Sequence, residues 1–286
     1  MDKKKIILDT DIGYDPDDLF ALLLALKSPE VEIALIVTAD EVLNKRTTFT
    51  RNVLKMTGNQ GIEVVSGIDL GNHKNFVVDE LLKDHKNDAG GDYINSMKKV
   101  ADSVGKITYV GIGGFTNLAK FFKVYPDYVN TFEIYMMGGA INYSRREGWI
   151  EHNIRLDKEA ARYIINDLDC NISLIMAQTT FQQEYEVNPD NPIFKKLKDS
   201  NEPVHKLLVQ NIELFNKKTS FWPKMHDPLT FATAIGKDFV TLHKSTVFID
   251  EKGKMSLGSN GKEIYWSDPV SKKKEFMDFL EESLFS

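Results

Sequence analysis

The chain carries five carboxylates within ten residues near its start. A short apolar run, residues 6–8, leads into them, and a longer apolar run, residues 19–26, follows. The first run is typical of a buried strand and the second of a helix. A strand that feeds a helix places the acidic turn at the carboxyl end of the strand, where open α/β sheets bind ligands. The five carboxylates are Asp9, Asp11, Asp15, Asp17 and Asp18.

Carboxylates at this density indicate a metal ion. Neighbouring negative charges repel one another, so folding them together is costly unless a cation offsets them. A hard cation such as Ca²⁺ suits this turn, because it takes about 6 to 8 oxygen ligands. The alternative is a helix start in which Asp17 and Asp18 complement the helix dipole. That alternative leaves Asp9 and Asp11 unexplained, so we expect a metal-centred site.

Composition narrows the class of protein. Of the 286 residues, 42% are hydrophobic and 27% charged, as in soluble globular proteins. Asp and Glu outnumber Lys and Arg by 42 to 36, and this net charge of −6 argues against a nucleic-acid partner. The lone Cys170 excludes an intramolecular disulfide and a cysteine zinc cluster. With neither a signal peptide nor a membrane-spanning run of about 20 apolar residues in view, we expect a cytoplasmic protein without a membrane partner.

Strand-like and helix-like segments alternate along the chain. This alternation predicts βαβ crossovers and an α/β fold: one open, mostly parallel sheet with helices on both faces. We expect a single domain over residues 1–286, with a small antiparallel edge hairpin at 245–266. The predicted strands are 31–38, 63–66, 106–112, 131–137 and 171–177. The predicted helices are 44–56, 157–167, 202–218, one that starts at 226, and 272–284.

Four further polar segments follow predicted strands or open predicted helices. Two contain paired glycines, at 113–117 and 138–139, where backbone can approach a ligand closely. The others are Glu151–Asn153 and Met225–Pro228, the second of which alone is typical of an ordinary helix start. Together the four segments supply oxygen ligands, groups that bind hydroxyls and the histidine His226.

These segments, taken in order, resemble the inosine–uridine-preferring nucleoside hydrolases. That family opens with an Asp-x-Asp-x-Gly-x-Asp-Asp turn, which residues 9–18 match with an apparent two-residue extension, Tyr14 and Asp15. GGFTNLA at 113–119, MMGGA at 136–140, EHNIRLDKEAA at 151–161 and MHDPLTFA at 225–232 are similar to later family segments. The resemblance covers residues 5 to about 280 and implies the nucleoside hydrolase fold.

The resemblance also implies roles for particular residues. It implies hydrolysis of a ribonucleoside to free base and ribose, in purine or pyrimidine salvage, by a homo-oligomer (dimer or tetramer). Asp11 would act as the general base for water, and His226 would protonate or hydrogen-bond the leaving base. The implied Ca²⁺ ligands are Asp11, Asp18, Asp227 and the carbonyl of Thr116. The implied substrate-binding residues are Asp17, Asn153 and Asp227 at the 2′- and 3′-hydroxyls, Glu151 at the 5′-hydroxyl, and Met137 against the sugar.

Departures from the family pattern concern the substrate rim more than the metal ligands. Asp40 follows the second strand where the family has an asparagine, and His152 replaces a phenylalanine. Arg145 stands where the family commonly has an asparagine near the 5′-hydroxyl. An arginine there is either a solvated surface residue or a ligand for a 5′ phosphate. His85 lies roughly at the position where the family has a histidine near the base, although the alignment in this segment is loose.

Two other classes of function stay open at this point. Haloacid dehalogenase-type phosphatases also place Asp-x-Asp after their first strand, but they require threonine or valine where this chain has Gly13. A catalytically silent nucleoside-binding protein of the same fold would explain the altered rim. Purine and pyrimidine nucleosides, with or without a 5′ phosphate, all stay open as substrates at this point.

Overall fold

The computed structural model describes residues 3–72, 77–82, 90–269 and 272–286. In these ranges nine strands and twelve α-helices alternate along the chain. The strands are β1 (Lys4–Thr10), β2 (Val31–Thr38), β3 (Val64–Ser66), β4 (Ile107–Gly111), β5 (Phe132–Met137), β6 (Asn171–Ile175), β7 (Leu242–Ile249), β8 (Met255–Leu257) and β9 (Lys262–Ser267). The helices are α1 (Asp17–Lys27), α2 (Lys45–Met56), α3 (Val78–Leu81), α4 (Tyr93–Ser103), α5 (Thr116–Val124), α6 (His152–Leu156), α7 (Lys158–Arg162), α8 (Ala177–Thr180), α9 (Pro192–Asp199), α10 (Pro203–Thr219), α11 (His226–Ala234) and α12 (Lys273–Phe285).

The described strands form one sheet in the order β3-β2-β1-β4-β5-β6-β9-β7-β8. All neighbours from β3 to β6 are parallel, as is the pair β6 and β9. Strand β7 runs antiparallel to both β8 and β9. The prediction of an open, mostly parallel sheet with an antiparallel edge near the C-terminus is therefore confirmed.

Helices cover both faces of the sheet, as the apolar strands predicted. Alternation along β1 sends Ile6 and Leu8 into one apolar cluster and Ile7 into the other. The first cluster includes residues of α1, α10, α11 and α12, and the second includes residues of α4, α5 and α7. No helix among the described residues is long and apolar enough to cross a membrane.

The direction of the strand order reverses at β1. This strand pairs with β2 on one side and with β4 on the other. The loops that leave such neighbours diverge to opposite faces, which opens a crevice at the carboxyl ends of the strands. The acidic turn follows β1, so the topology places it at this crevice.

Most predicted elements match the structure within two residues, and two of the differences have local causes. The strand predicted over 171–177 ends at Ile175, because Ala177–Thr180 turns into α8. The helix predicted over 157–167 is α-helical only to Arg162 and continues as a π-helix over Tyr163–Asp167. The wider turn keeps Ile164 and Ile165 together in the core, where both are fully buried.

Candidate metal and active site

Three buried carboxylates from two helices converge at the crevice. Asp17 and Asp18 form the first turn of α1, and Asp227 is the second residue of α11. Each offers a carboxylate oxygen, and these atoms lie within 4.8 Å of one another. The three side chains are only 3–4% exposed. This trio is the group within the described chain that is best arranged to hold a metal ion.

Asp11 is a close neighbour of this trio. Burial, and after it the surrounding negative charges, raise the pKa of Asp17, Asp18 and Asp227 well above the usual range. Asp11 is one of the contributing charges in all three cases. Of the metal ligands that the resemblance implies, Asp18 and Asp227 belong to the trio, Asp17 is its third member, and Asp11 acts on all three as a neighbouring charge.

Asp15 adds a fifth carboxylate, which the protein hydrogen-bonds only in part. Burial first, and then the charges of Asp18 and Asp11, raise its pKa to about 7. One carboxylate oxygen, Oδ1, is buried without a hydrogen-bond partner among the described residues. An unpaired buried oxygen beside other carboxylates is costly unless a cation compensates it. The donor set therefore fits a divalent cation, and its oxygens suit a hard one.

Thr116 lies at the same edge of the sheet. It is the first residue of α5, which follows β4 and the glycines of the Gly113-Gly114 pair. Its hydroxyl donates a hydrogen bond to Asp157 at 2.9 Å, which fixes the helix start. The resemblance assigns its carbonyl to the metal, and that assignment stays a prediction.

Arg46 is a functional neighbour that sequence reasoning missed. Its side chain is 2% exposed and donates to the carbonyls of Asp40 at 2.9 Å and Ile12 at 2.8 Å. Burial raises the pKa of Asp11, and the Arg46 guanidinium opposes that rise. Arg46 sits in the first turn of α2, where its spacing looks like that of an ordinary helix residue, so no sequence signal marks it.

Asn117 ties three strand ends together beneath the site. Its amide nitrogen donates to Asp9 at 3.0 Å and to the Thr38 carbonyl at 3.3 Å, and its oxygen accepts from the Ile68 nitrogen at 2.9 Å. Tyr109 donates a second hydrogen bond to Asp9. Asp9 is therefore a structural carboxylate that is hydrogen-bonded within the fold, whereas Asp11 belongs to the acidic group of the site.

Glu151 and Asn153 are fixed at the end of β5. Glu151 caps α6: its carboxylate accepts from the backbone nitrogens of Asn153 at 3.0 Å, Ile154 at 3.1 Å and Gly139 at 3.0 Å. The Asn153 amide donates to the carbonyl of Met137 at 3.1 Å. Glu151, Asn153 and Met137, all predicted to bind ribose, therefore form one buried cluster.

His152, between these two residues, points its free nitrogen at the acidic group. The Arg155 guanidinium lies 2.9 Å from Nδ1 and has only donors, so Nδ1 is the acceptor. The proton of the neutral ring is therefore on Nε2, which lies 4.0 Å from Asp11 Oδ2. The phenylalanine expected here from the family pattern could make neither contact.

His226 opens α11 beside Asp227 and faces a different group of side chains. Its Nδ1 lies 2.6 Å from the Thr180 hydroxyl, and its ring stacks on Phe181 at 5.6 Å between centroids and 29° between planes. Burial, and after it the cations Lys224 and Arg145, lower its pKa to about 3. His226 is therefore a neutral imidazole in the free protein.

Arg145 lies in the loop after β5, on the side of the site that holds His226. Its guanidinium carbon stands 4.0 Å from the ring centroid of Phe181 and 5.8 Å from that of Phe221. The neighbouring Arg146 has no such contact among the described residues. His85, the other sequence candidate near the base, lies outside the described residues.

Sheet order and the position of the acidic group define an open α/β protein whose polar site lies at the carboxyl ends of the strands, and sequence comparison gives the family. The family model for inosine-uridine preferring nucleoside hydrolases matches residues 6–275. The chain belongs to this family, and its reaction class is hydrolysis of N-glycosidic bonds. The resemblance of the polar segments is thereby confirmed, and the phosphatase alternative is set aside.

Individual relatives differ in the substrates that their names give. The chain is 26% identical to the inosine-uridine preferring nucleoside hydrolase of Crithidia fasciculata, over 89% of this chain and 86% of the relative. It is 25% identical to the pyrimidine-specific ribonucleoside hydrolase RihA of Salmonella paratyphi C, over 91% and 89%. A solved plant nucleoside hydrolase superposes with a TM-score of 0.83 at 22% identity, over 99% of both chains.

Proposed function

We propose that this protein is a Ca²⁺-dependent hydrolase that cleaves ribonucleosides to free base and ribose. The observation that carries the proposal is the convergence of Asp17, Asp18 and Asp227 within 4.8 Å, beside Asp11, in a member of this family. A silent binding protein would need no such concentration of buried negative charge, because buried carboxylates lower the stability of the fold when no cation compensates them.

The ion would be held by Asp11, Asp18, Asp227 and the Thr116 carbonyl. All four donors are oxygens, as calcium prefers, and the chain offers no cysteine at this place. When bound, the ion offsets the mutual repulsion of the carboxylates and makes water more acidic.

Asp11 would accept the proton of the attacking water. The water oxygen bonds to C1′ of the ribose while the C1′–N bond breaks, and the electron pair of that bond leaves with the base. Positive charge develops on the ribose in this step. The carboxylates of Asp17 and Asp227 stabilise that charge because they are already in place before the reaction.

Ribose would be held from two sides. We assign Asp17, Asp227 and Asn153 to the 2′- and 3′-hydroxyls, Glu151 to the 5′-hydroxyl, and Met137 to the apolar face of the sugar. The backbone nitrogen of Asp227 donates to Asp17 at 3.3 Å, which couples the two carboxylates. His226 would then hydrogen-bond the departing base.

The biological setting that we propose is nucleoside salvage by a cytoplasmic homo-oligomer, a dimer or tetramer. Sedimentation velocity of the purified protein tests the oligomer directly.

Hydrolysis assays with and without the ion test the catalytic proposal. We expect purified protein to release free base and ribose from a panel of inosine, guanosine, adenosine, uridine and cytidine in the presence of Ca²⁺. Chelation should stop the reaction, and added Ca²⁺ should restore it. Asp11→Asn should lower kcat by about 10² to 10⁴, because it removes the general base but keeps the shape of the side chain. Nucleoside binding by calorimetry without any turnover would instead identify a silent binding protein.

A further inference from the structure

The side of the site that holds His226 is built from planar groups and cations. Phe181 stacks on His226, and Arg145 stacks on Phe181. Phe221, on the loop before α11, is 60% exposed although it is a large apolar residue, and it lies near the same guanidinium. Planar side chains that line one side of a nucleoside site are suited to a planar base.

Arg145 is the cation of this group whose charge is not compensated. Lys224 also lies near Phe181, but it forms a 2.5 Å ion pair with Glu186. Among the described residues, no carboxylate pairs with Arg145 and no hydrogen bond uses its guanidinium. The acidic group brings the opposite charge to the same site through Asp227, the residue that follows His226.

Stacking fixes the direction in which Arg145 can bind. A guanidinium that packs its face on an aromatic ring keeps its N–H groups in the plane, where they form a two-pronged fork. Such a fork pairs with two adjacent acceptors. The O6 and N7 atoms of hypoxanthine or guanine are two acceptors at this spacing, whereas adenine has a donor at position 6. Pyrimidines have no atom equivalent to N7.

We infer that Arg145 selects 6-oxopurine ribonucleosides by donating two hydrogen bonds to O6 and N7 of the base. This inference rests on the proposed function and names its substrate class. The same contact assists cleavage: the electron pair of the C1′–N9 bond passes into the base, and its charge reaches O6 and N7. Arg145 stabilises that charge without transferring a proton, since guanidinium stays protonated in proteins.

Substrate pairs that differ by one acceptor test the inference. We expect kcat/KM for inosine to exceed that for adenosine and for 7-deazainosine by about 5- to 150-fold, the discrimination of a good bidentate contact. In Arg145→Ala this preference should collapse toward unity, because the loss falls on inosine alone. Arg145→Lys should restore only part of the preference, since an ammonium cannot pair with both acceptors. Arg146→Ala, which removes an equal charge from the same loop, should leave the preference unchanged.

Binding measurements separate this inference from the proposed function. Calorimetry with hypoxanthine and adenine reports recognition of the base even in a protein that hydrolyses nothing. Equal affinity for the two bases, or equal loss of inosine and 7-deazainosine hydrolysis in Arg145→Ala, would overturn the inference. So would a preference of the native protein for inosine 5′-monophosphate over inosine that disappears in Arg145→Ala, because Arg145 would then bind phosphate.

Discussion

At the scale of single residues, the protonation state of His226 decides whether this residue hydrogen-bonds the leaving base or transfers a proton to it. Burial, then Lys224 and Arg145, lower its pKa to about 3, so the folded protein holds a neutral imidazole at any pH above about 4. A neutral ring can donate a hydrogen bond from one nitrogen while the other bonds to Thr180. It cannot supply a proton as an imidazolium does.

The pH profile of His226 variants tests this state. We expect kcat/KM of the native protein to show no ionisation of His226 between pH 5 and 8. His226→Ala should lose about 10² to 10³ in rate on nucleosides, the effect of removing a hydrogen-bond donor, whereas His226→Gln, which keeps an N–H donor, should lose less. Nitrophenyl riboside, whose leaving group needs no donor, should be spared in both variants. A fall in native rate through pH 6–7 that His226→Gln abolishes would show that the histidine is charged.

At the scale of elements, one side chain fastens the loops around the site. Asn117 in α5 bonds to the end of β1, the end of β2 and the segment after β3. Its replacement leaves Asp9 Oδ1 and the Ile68 nitrogen without this partner, each at a cost of about 1–3 kcal/mol, whereas the Thr38 carbonyl keeps its hydrogen bond from Gly67.

Asn117→Ala should therefore lower the free energy of unfolding by about 2–4 kcal/mol, measured by urea denaturation. Asn95→Ala is the matched control, because Asn95 lies on an exposed face of α4. We expect the control to change stability by less than about 0.5 kcal/mol. Equal effects of the two substitutions would mean that the strand ends do not depend on Asn117.

The elements themselves were largely predictable, and the site only in part. Strands such as Val31–Thr38 were predictable because the part that is buried on both faces, residues 35–37, is apolar throughout. The acidic turn was visible because carboxylates at that spacing are rare without a cation. The role of Arg46 was not visible, because it depends on the proximity of Arg46 to Asp11 in the folded chain, which the spacing of residues along a helix does not reveal. The contact of Arg145 with Phe181 likewise joins two loops that are distant in sequence.

At the scale of the whole molecule, the cluster of carboxylates links stability to both pH and calcium. The pKa of Asp15 is about 7 in the folded protein and near 3.8 when unfolded. A raised carboxyl pKa contributes stability that is present at low pH and is lost as pH rises through the folded value. Without the ion, the acidic turn should therefore weaken the fold between about pH 4 and 7.

Asp15→Asn isolates this contribution, because it keeps the shape of the side chain and removes its titration. In metal-free protein, the variant should gain stability relative to the native chain as pH rises from 5 to 7.5. Added Ca²⁺ should raise the melting temperature of the native chain at pH 7.5 and release protons, since the ion replaces them at the carboxylates. Thermal melts in matched buffers measure the first effect, and calorimetry in buffers of different ionisation enthalpy measures the second. If the difference in stability between the native chain and Asp15→Asn does not change with pH, the raised pKa does not belong to Asp15.

The carboxylate trio also sets an order of events during synthesis. Asp17 and its partner Asp227 are separated by 210 positions in the chain. At about 5–20 residues per second, the ribosome needs about 10–40 s to travel that distance. Throughout this interval the acidic turn has left the ribosome, whereas Asp227, the third carboxylate of the trio, has not. The N-terminal half of the growing chain therefore has to exist without a cation that compensates its carboxylates. Only the nearly finished chain contains all three carboxylates of the metal site.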